Sequence, residues 1–529
     1  MPMHLHMHIN SKDRTAVASN PGAPDSDVTI SPADLEGMEI CHHVETLDEK
    51  QRLRKLDWGL IPWLSLLYLL AFLTRTNIGN AKLAGFTTAI HLDASGEQYN
   101  LALALFFISY SLFEPVSNVL LKMLKPNHYL TLLMVLCGII TISTGFVSNA
   151  GGLFAARFCL GVVQAGVFPG VNYILSCWYR RSELGFRSAI FFSAAAISGS
   201  FGGLLAYGLQ QMDGIAGRGG WSWIFIIEGV IVVIIGAISW WMVFNFPEDY
   251  ANKPNSKRAK LIRCVEENSH RRDSVPADTP PERPFSQTLK LSLTDWKTWT
   301  GIMIYGGAAG PLFAFSLFLP SIIADMGTYS TTTSQLLTIP PYVVGCIATL
   351  VIALIADRTA QRGLCSIFTC LFAILGFFLL LFGKNVAMKY TGTFLAAIGI
   401  YPCIPNAVAW SSNNIIDPGK RGLSLGFVIG LGNLAGVVNC FVYRQKDKPD
   451  YKMGHGVVLG FLIVLLLGGS CLQHFMLVRE NQKKREHLAY IADREKNGTQ
   501  EELKKIEEED KKRREDGNED SDDNFVYVE

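Results

Sequence analysis

Residues 72–80 read "FLTRTNIGN" and close a stretch, Trp58 to Leu73, that is almost wholly apolar. The fold turns on where that helix stops. Sixteen residues at about 1.5 Å each cover roughly 24 Å, short of the ~30 Å hydrocarbon core of a bilayer. A surface helix would end at Leu73 and turn Arg75 to water. A membrane span must instead carry Thr74, Arg75, Thr76 and Asn77 along with it.

The rest of the chain favours the span. Of 529 residues, 49% are hydrophobic and only 18% charged, where a soluble domain carries about 25% charged residues. Mean hydropathy is +0.24. Apolar runs recur at 58–78, 98–121, 128–148, 152–176, 186–209 and 221–244, then at 298–324, 334–356, 364–383, 389–411, 421–443 and 455–478. Each has about the length a spanning helix needs. The expected fold class is an all-α integral membrane protein with twelve transmembrane helices in two six-helix halves. The net charge of +1 gives no electrostatic reason to expect nucleic acid as a partner. The 11 cysteines are scattered without a Cys-x-x-Cys, so they read as reduced core residues; no metal or cofactor is expected.

Lys and Arg set the orientation. Lys50, Arg52, Arg54 and Lys55 precede the first helix, Arg180, Arg181 and Arg187 lie in one loop, and ten Lys/Arg fall in 245–297. Alternate loops are poor in both, with 444–454 (Arg444, Lys446, Lys448, Lys452) dissenting. Both termini are therefore expected in the cytosol of a plasma-membrane protein. The first 57 residues are polar, with no apolar core of a signal peptide, and read as a disordered tail. The same reading covers His4, His6 and His8, which could otherwise bind a metal ion.

The expected domains are the tail 1–57, a bundle 58–244, a proline-rich cytosolic linker 245–297, a bundle 298–478 and a charged, solvated cytosolic tail 479–529. Asn497-Gly-Thr matches a glycosylation pattern but falls in the cytosol, where it is inert. Gly199-x-x-x-Gly203 in the fifth helix and Gly432-x-x-x-Gly436 in the eleventh are a trace of duplication, and such spacing lets helices approach closely. Parallel repeats of this kind belong to transporters with a substrate site between the halves.

Ionisable side chains inside spans are costly and mark function. Arg75, Arg157 and Glu228 stand out. Arg157, Gly161, Gln164 and Phe168 share one stripe of the fourth helix at i, i+4, i+7 and i+11. Asn406, Trp410 and Asn414 form a second stripe on the tenth helix. Tyr110 adds a hydroxyl and Asn433 an amide. A cavity faced by both arginines would be positive, and a carboxylate suits the guanidinium fork. The competing structural readings are arginines that snorkel or cap a helix end and a Glu228 that braces nearby loops.

The order of "RTNIGNAKLAGF" (75–86), "RFCLGVVQAGVFPG" (157–170), "CWYRRSELGFRSA" (177–189), "GWSWIFIIEG" (220–229) and "KRGLSLGFVIGLGNLAG" (420–436) resembles the fungal allantoate-permease branch of the anion:cation symporters. That branch lies within the major facilitator superfamily, and the resemblance spans about residues 57–478. It implies alternating access and import of a small organic anion such as allantoate, ureidosuccinate, nicotinate, pantothenate or biotin. It also implies that Arg75, Tyr110, Arg157, Trp410 and Asn433 line the cavity; Gln164 and Asn414 join them by stripe. The superfamily's loop signature survives in "ALIADRTAQR" as Asp357, Arg358 and Arg362, a gating loop, and has lost its acid near "NVLLKMLKPNHYL". Thr74 and Gln164 stand where relatives usually carry the carboxylates of proton symport. Coupling through those sites is therefore expected to be weak or absent, which leaves Glu228 as the coupling candidate.

Two other readings stand beside uptake of an organic anion. A drug-type efflux pump usually carries a Gly-Pro pair in its fifth helix, and "SAAAISGSFGGLLAYGL" has none. A non-transporting nutrient sensor would use the cavity to read a metabolite and the charged tail to signal. A membrane enzyme is not expected, since no nucleophile or ligand cluster has the required spacing within the spans.

Overall fold

The computed structural model describes residues 32–179, 181–246, 284–327, 329–415, 417–497 and 527–528. The chain forms two units, Met1–Leu56, helical over residues 32–56, and Asp57–Glu529. Twelve helices are long and apolar enough to cross a membrane. The first six are α1 (Leu53–Leu83), α2 (Glu97–Ser117), α3 (Pro126–Thr144), α4 (Ala150–Trp178), α5 (Leu184–Gln210) and α6 (Gly220–Met242). The second six are α7 (Trp296–Met326), α8 (Thr331–Thr359), α9 (Arg362–Phe382), α10 (Val386–Asn413), α11 (Gly419–Cys440) and α12 (Lys452–Ile491). Among the described residues there is no strand. This is a multi-pass membrane protein of all-α class. The helix that carries "FLTRTNIGN" runs on to Leu83, with Thr74, Arg75, Thr76 and Asn77 all buried inside it.

Successive spans run in opposite directions, so α1, α6, α7 and α12 share one end of the bundle, here called the linker end. Trp58, Trp241 and Trp299, at the linker ends of α1, α6 and α7, are 81%, 70% and 51% exposed. Amphipathic rings in that position anchor a protein at the level of lipid headgroups. Between the two ends the outer surface is apolar (Leu112, Ile347 and Phe475 among many), which only hydrocarbon covers at no cost.

The expected segment limits shift in three places. The helix that leads into α1 begins at Pro32, inside the segment expected to be disordered; proline suits the first helical position, and no second proline interrupts the chain before Pro62. The described end of the linker is also ordered, as the helix Phe285–Thr294. α12 continues into a helix that ends at Asn497, so the first part of the 479–529 tail is helical. Residues 1–31 with His4, His6 and His8, linker residues 247–283, and residues 498–526, which include most of the Asn497-Gly-Thr pattern, lie outside the described residues.

Both small-xxx-small motifs sit where the halves meet. A Cβ at Gly203 would lie 2.7 Å from the Gln335 carbonyl oxygen of α8, so α5 and α8 touch only because the residue is glycine. Gly436 of α11 accepts the Phe107 ring of α2, with a built Cβ 2.6 Å from it. Phe107 in turn packs on Phe313 of α7, ring centroids 4.5 Å apart.

Candidate functional site

Arg75 lies at the centre of the bundle, 6% exposed. Its guanidinium carbon stands 4.8 Å from the Tyr110 ring centroid, 5.0 Å from Phe106, 5.5 Å from Phe72 and 5.6 Å from Phe313. Three of those rings belong to the first half and Phe313 to the second, so the cation sits at the seam between them. Each such contact offsets part of the charge through the ring quadrupole. Arg75 Nε donates to Gln164 Oε1 at 3.4 Å. Among the described residues, Arg75 has no ion-pair partner.

Gln164 supports this arrangement from behind. Its Nε2 donates to the Ala71 carbonyl at 3.0 Å and to Thr74 Oγ1 at 2.6 Å. The chain reaches this geometry because α4 breaks at Ala165 and Gly166, between its Ala150–Gln164 and Val167–Trp178 parts. Gly161, one turn earlier, packs directly on Ser109 and the Phe106 carbonyl of α2, where any side chain would collide.

Arg75, Tyr110 and Asn433 line one small cavity with Tyr68, Phe168, Phe192, Tyr305, Leu312, Phe313 and Ile404. Its volume is about 10 Å³, room for roughly one water molecule. A molecule larger than water can enter only when side chains or halves move apart.

A carboxylate that sequence reasoning passes over completes this site. Glu114 of α2 is wholly buried. Its Oε2 accepts from Asn433 Nδ2 of α11 at 3.3 Å, and Asn433 Oδ1 accepts from Tyr305 Oη of α7 at 3.4 Å. This chain of bonds joins the two halves. Glu114 Oε1 has no hydrogen-bond partner among the described residues. The signal was present in "SLFEP", an acid inside an apolar run, four residues after Tyr110 and so on the same face.

The remaining candidates stand elsewhere. Arg157 is buried behind α1 and does not line the cavity: its Nη1 donates to the Arg75 carbonyl at 3.4 Å, and its Nε has no partner among the described residues. The two arginines therefore do not share one cavity, because the α1 backbone stands between them. Glu228 accepts from Asn77 Nδ2, an α6–α1 bond within one half. The α10 stripe does not face the cavity either. Asn406 bonds to Arg362 and Ser366 of α9, while Trp410 and Asn414 lie near the linker end and bond to Val528. Spacing told which residues share a face of α10 but not which neighbour covers that face. In the loop signature Asp357 pairs with Arg362, both against Gly185 of α5, and Arg358 is exposed. Among the described residues, no cluster of His, Cys, Asp or Glu could hold a metal ion.

The sequence profile of the Major Facilitator Superfamily matches residues 64–439, all but the last helix and the flanking segments. The chain belongs to the major facilitator superfamily. Full-length relatives agree. An uncharacterized transporter of Schizosaccharomyces pombe is 34% identical over 87% of this chain and 89% of its own. The MFS-type transporter cnsO of Penicillium expansum is 33% identical over 86% and 88%. The high-affinity nicotinic acid transporter of Saccharomyces cerevisiae is 31% identical over 90% and 86%. A bacterial homolog of the human lysosomal transporter Spinster, solved in an inward-facing and occupied conformation, shares the fold. It has a TM-score of 0.56 at 14% identity and covers 78% of this chain and 94% of that one. This member of the superfamily is thus a membrane transporter with a buried cation at the seam of its halves.

Proposed function

We propose that this protein carries a small organic anion, a carboxylate on a flat or aromatic body, across the membrane by alternating access. One observation carries the reading: Arg75, a buried cation at the seam, is ringed by aromatic side chains and has no ion-pair partner among the described residues. Burying a charge without a counter-charge is expensive, and a substrate carboxylate would supply one. The aromatic walls of Tyr68, Phe168 and Tyr305 suit a planar body. The nicotinic acid relative is named for such a molecule. Tyr110 and Asn433 belong to the same site; Arg157 and Gln164 hold the α1 backbone and the Arg75 side chain in place. We place both termini and the 245–297 linker in the cytosol, with the plasma membrane as location.

Coupling to protons fits Glu114 better than Glu228. A coupling group must meet different surroundings in the two states of the transport cycle. Glu114 is held by Asn433 of the opposite half and is exposed to change when α2 and α11 part. Glu228 is held by Asn77 of its own half, which would move with it.

Competitive uptake in cells lacking their own carboxylate carriers tests the substrate class. Acids compete and their matched amides do not. Arg75→Lys, at equal surface level, lowers uptake at least about tenfold, since it loses a fork of charge-assisted bonds worth roughly 1.5–3 kcal/mol. Amides that compete equally, or full uptake by the lysine variant, would refute anion recognition at Arg75.

A further inference from the structure

Away from the central cavity, the chain binds a piece of itself. The Val528 amide donates to Asn414 Oδ1 at 2.8 Å, and the Val528 carbonyl accepts from Trp410 Nε1 at 2.8 Å and Asn414 Nδ2 at 3.1 Å. Asn481 reads Tyr527 in the same manner: its Oδ1 accepts from the Tyr527 amide at 2.9 Å and its Nδ2 donates to the Tyr527 carbonyl at 3.0 Å. The Tyr527 ring is 2% exposed and lies 4.1 Å from the Lys297 ammonium and 4.5 Å from that of Lys484.

This is a built site. Trp410, Asn414 and Asn481 are all buried, and each asparagine pairs with both the amide and the carbonyl of one residue, as a neighbouring strand would. Two ammonium groups beside one ring select an aromatic side chain over an aliphatic one. The chemistry is that of a receptor for an extended aromatic–aliphatic dipeptide. The segment expected to be a solvated tail is, at Tyr527 and Val528, its ligand.

The location of the site gives it a consequence. Its walls stand on three helices, α10 and its C-cap (Trp410, Asn414), α12 (Asn481, Lys484) and α7 (Lys297). One turn back along α10, Asn406 Oδ1 accepts from Arg362 Nη1 at 3.3 Å and its Nδ2 donates to the Arg362 carbonyl at 2.8 Å. Arg362 pairs with Asp357, and both lie against Gly185 of α5, in the other half. One run of contacts therefore leads from Val528 through α10 to the seam between the halves at the linker end.

We propose that Tyr527–Val528 is an internal latch: docked, it fixes the last turn of α10 and favours closure of the linker-end seam; released, it lets that seam open. A tilt of α10 against α7 and α12 would pull the three walls apart, so the segment binds the closed arrangement better, and a ligand shifts a protein toward the state it prefers. The latch does not depend on which molecule the central cavity carries.

The test is site-resolved maleimide labelling of Cys365, which is buried in α9 three residues after Arg362, in the purified full-length chain. Deletion of residues 525–529 and, separately, Asn481→Ala each speed labelling several-fold. A synthetic peptide of residues 520–529 returns the deletion variant to the wild-type rate. Labelling at the wild-type rate in both variants overturns the latch. Should the deletion variant fail to reach the membrane, Asn481→Ala, which keeps the chain length, decides alone.

Discussion

Arg75, Arg157, Glu114 and Glu228 are all buried in spans, yet their surroundings separate them. Arg75 meets rings from both halves, and Glu114 meets Asn433 across the seam; among the described residues, Arg157 and Glu228 bond only to α1 of their own half. The difference gives a prediction. Glu114 and Glu228 each keep one buried oxygen without a hydrogen-bond partner among the described residues, which is costly for a charged carboxylate, but only Glu114 changes its surroundings when α2 and α11 separate. Without a coupled proton, an inside-negative potential opposes entry of a monovalent anion by roughly 2.3 kcal/mol per 100 mV. Glu114→Gln should therefore abolish protonophore-sensitive accumulation and keep substrate exchange across the membrane. Accumulation that survives Glu114→Gln and is lost in Glu228→Gln would move the coupling role to Glu228. Arg75, Tyr110 and Asn433, which the resemblance implied at one cavity, do line one small cavity, since a polar group in an apolar run must face something polar. Glu114 carried the same signal and was passed over. Trp410 and Asn414 do not line that cavity, since helical spacing fixes a face but leaves its neighbour unknown.

At the scale of elements, the twelve spans were legible because twenty apolar residues have few alternatives in lipid, whereas helix continuations beyond the membrane have no such marker. That is why the helices at 32–52 and 479–497 were read as tails. The loop 444–454, whose four basic residues run against the charge asymmetry, has a local explanation. Lys448 pairs with Asp325 at 3.2 Å, and Asp450 of the same loop pairs with Lys389 of α10 at 2.6 Å, so two acids offset part of its charge. The Lys389 ammonium, through its hydrogen bond and its charge, holds the Asp450 carboxylate below its ordinary value. A lowered value means the tether is fully present above the unfolded-state value, about 4, and is lost as pH falls through the folded one. Protection of the amides of residues 446–451, taken relative to their intrinsic exchange rates, should accordingly be high at neutral pH and fall as the pH drops below about 4. Asp450→Asn should lower that protection at neutral pH and change it little in acid. Protection in the variant that matches wild type at neutral pH would show that the pair does not hold the loop.

At the scale of the whole molecule, the two halves are held together by glycine contacts at α5–α8, by the Phe107–Phe313 stack and the Glu114–Asn433 bond in the middle, and by Asp357 and Arg362 against Gly185 at the linker end. The central cavity then has room for about one water molecule, so the alternating access proposed above requires these contacts to break at one end at a time. Which end faces the cytosol follows from the basic residues. Moving lysine and arginine across a membrane during insertion is disfavoured, and the loop 245–297 alone holds ten of them. The linker end should therefore be cytosolic, which also places Trp410, Asn481 and the 527–528 segment on the cytosolic side of the bundle. A single cysteine in place of Ser256, in a chain whose other cysteines are replaced, should resist an impermeant maleimide in intact cells and react fully once the membrane is permeabilised. A cysteine in place of Thr331, at the opposite end, should react in intact cells. Strong labelling at position 256 before permeabilisation would invert the orientation.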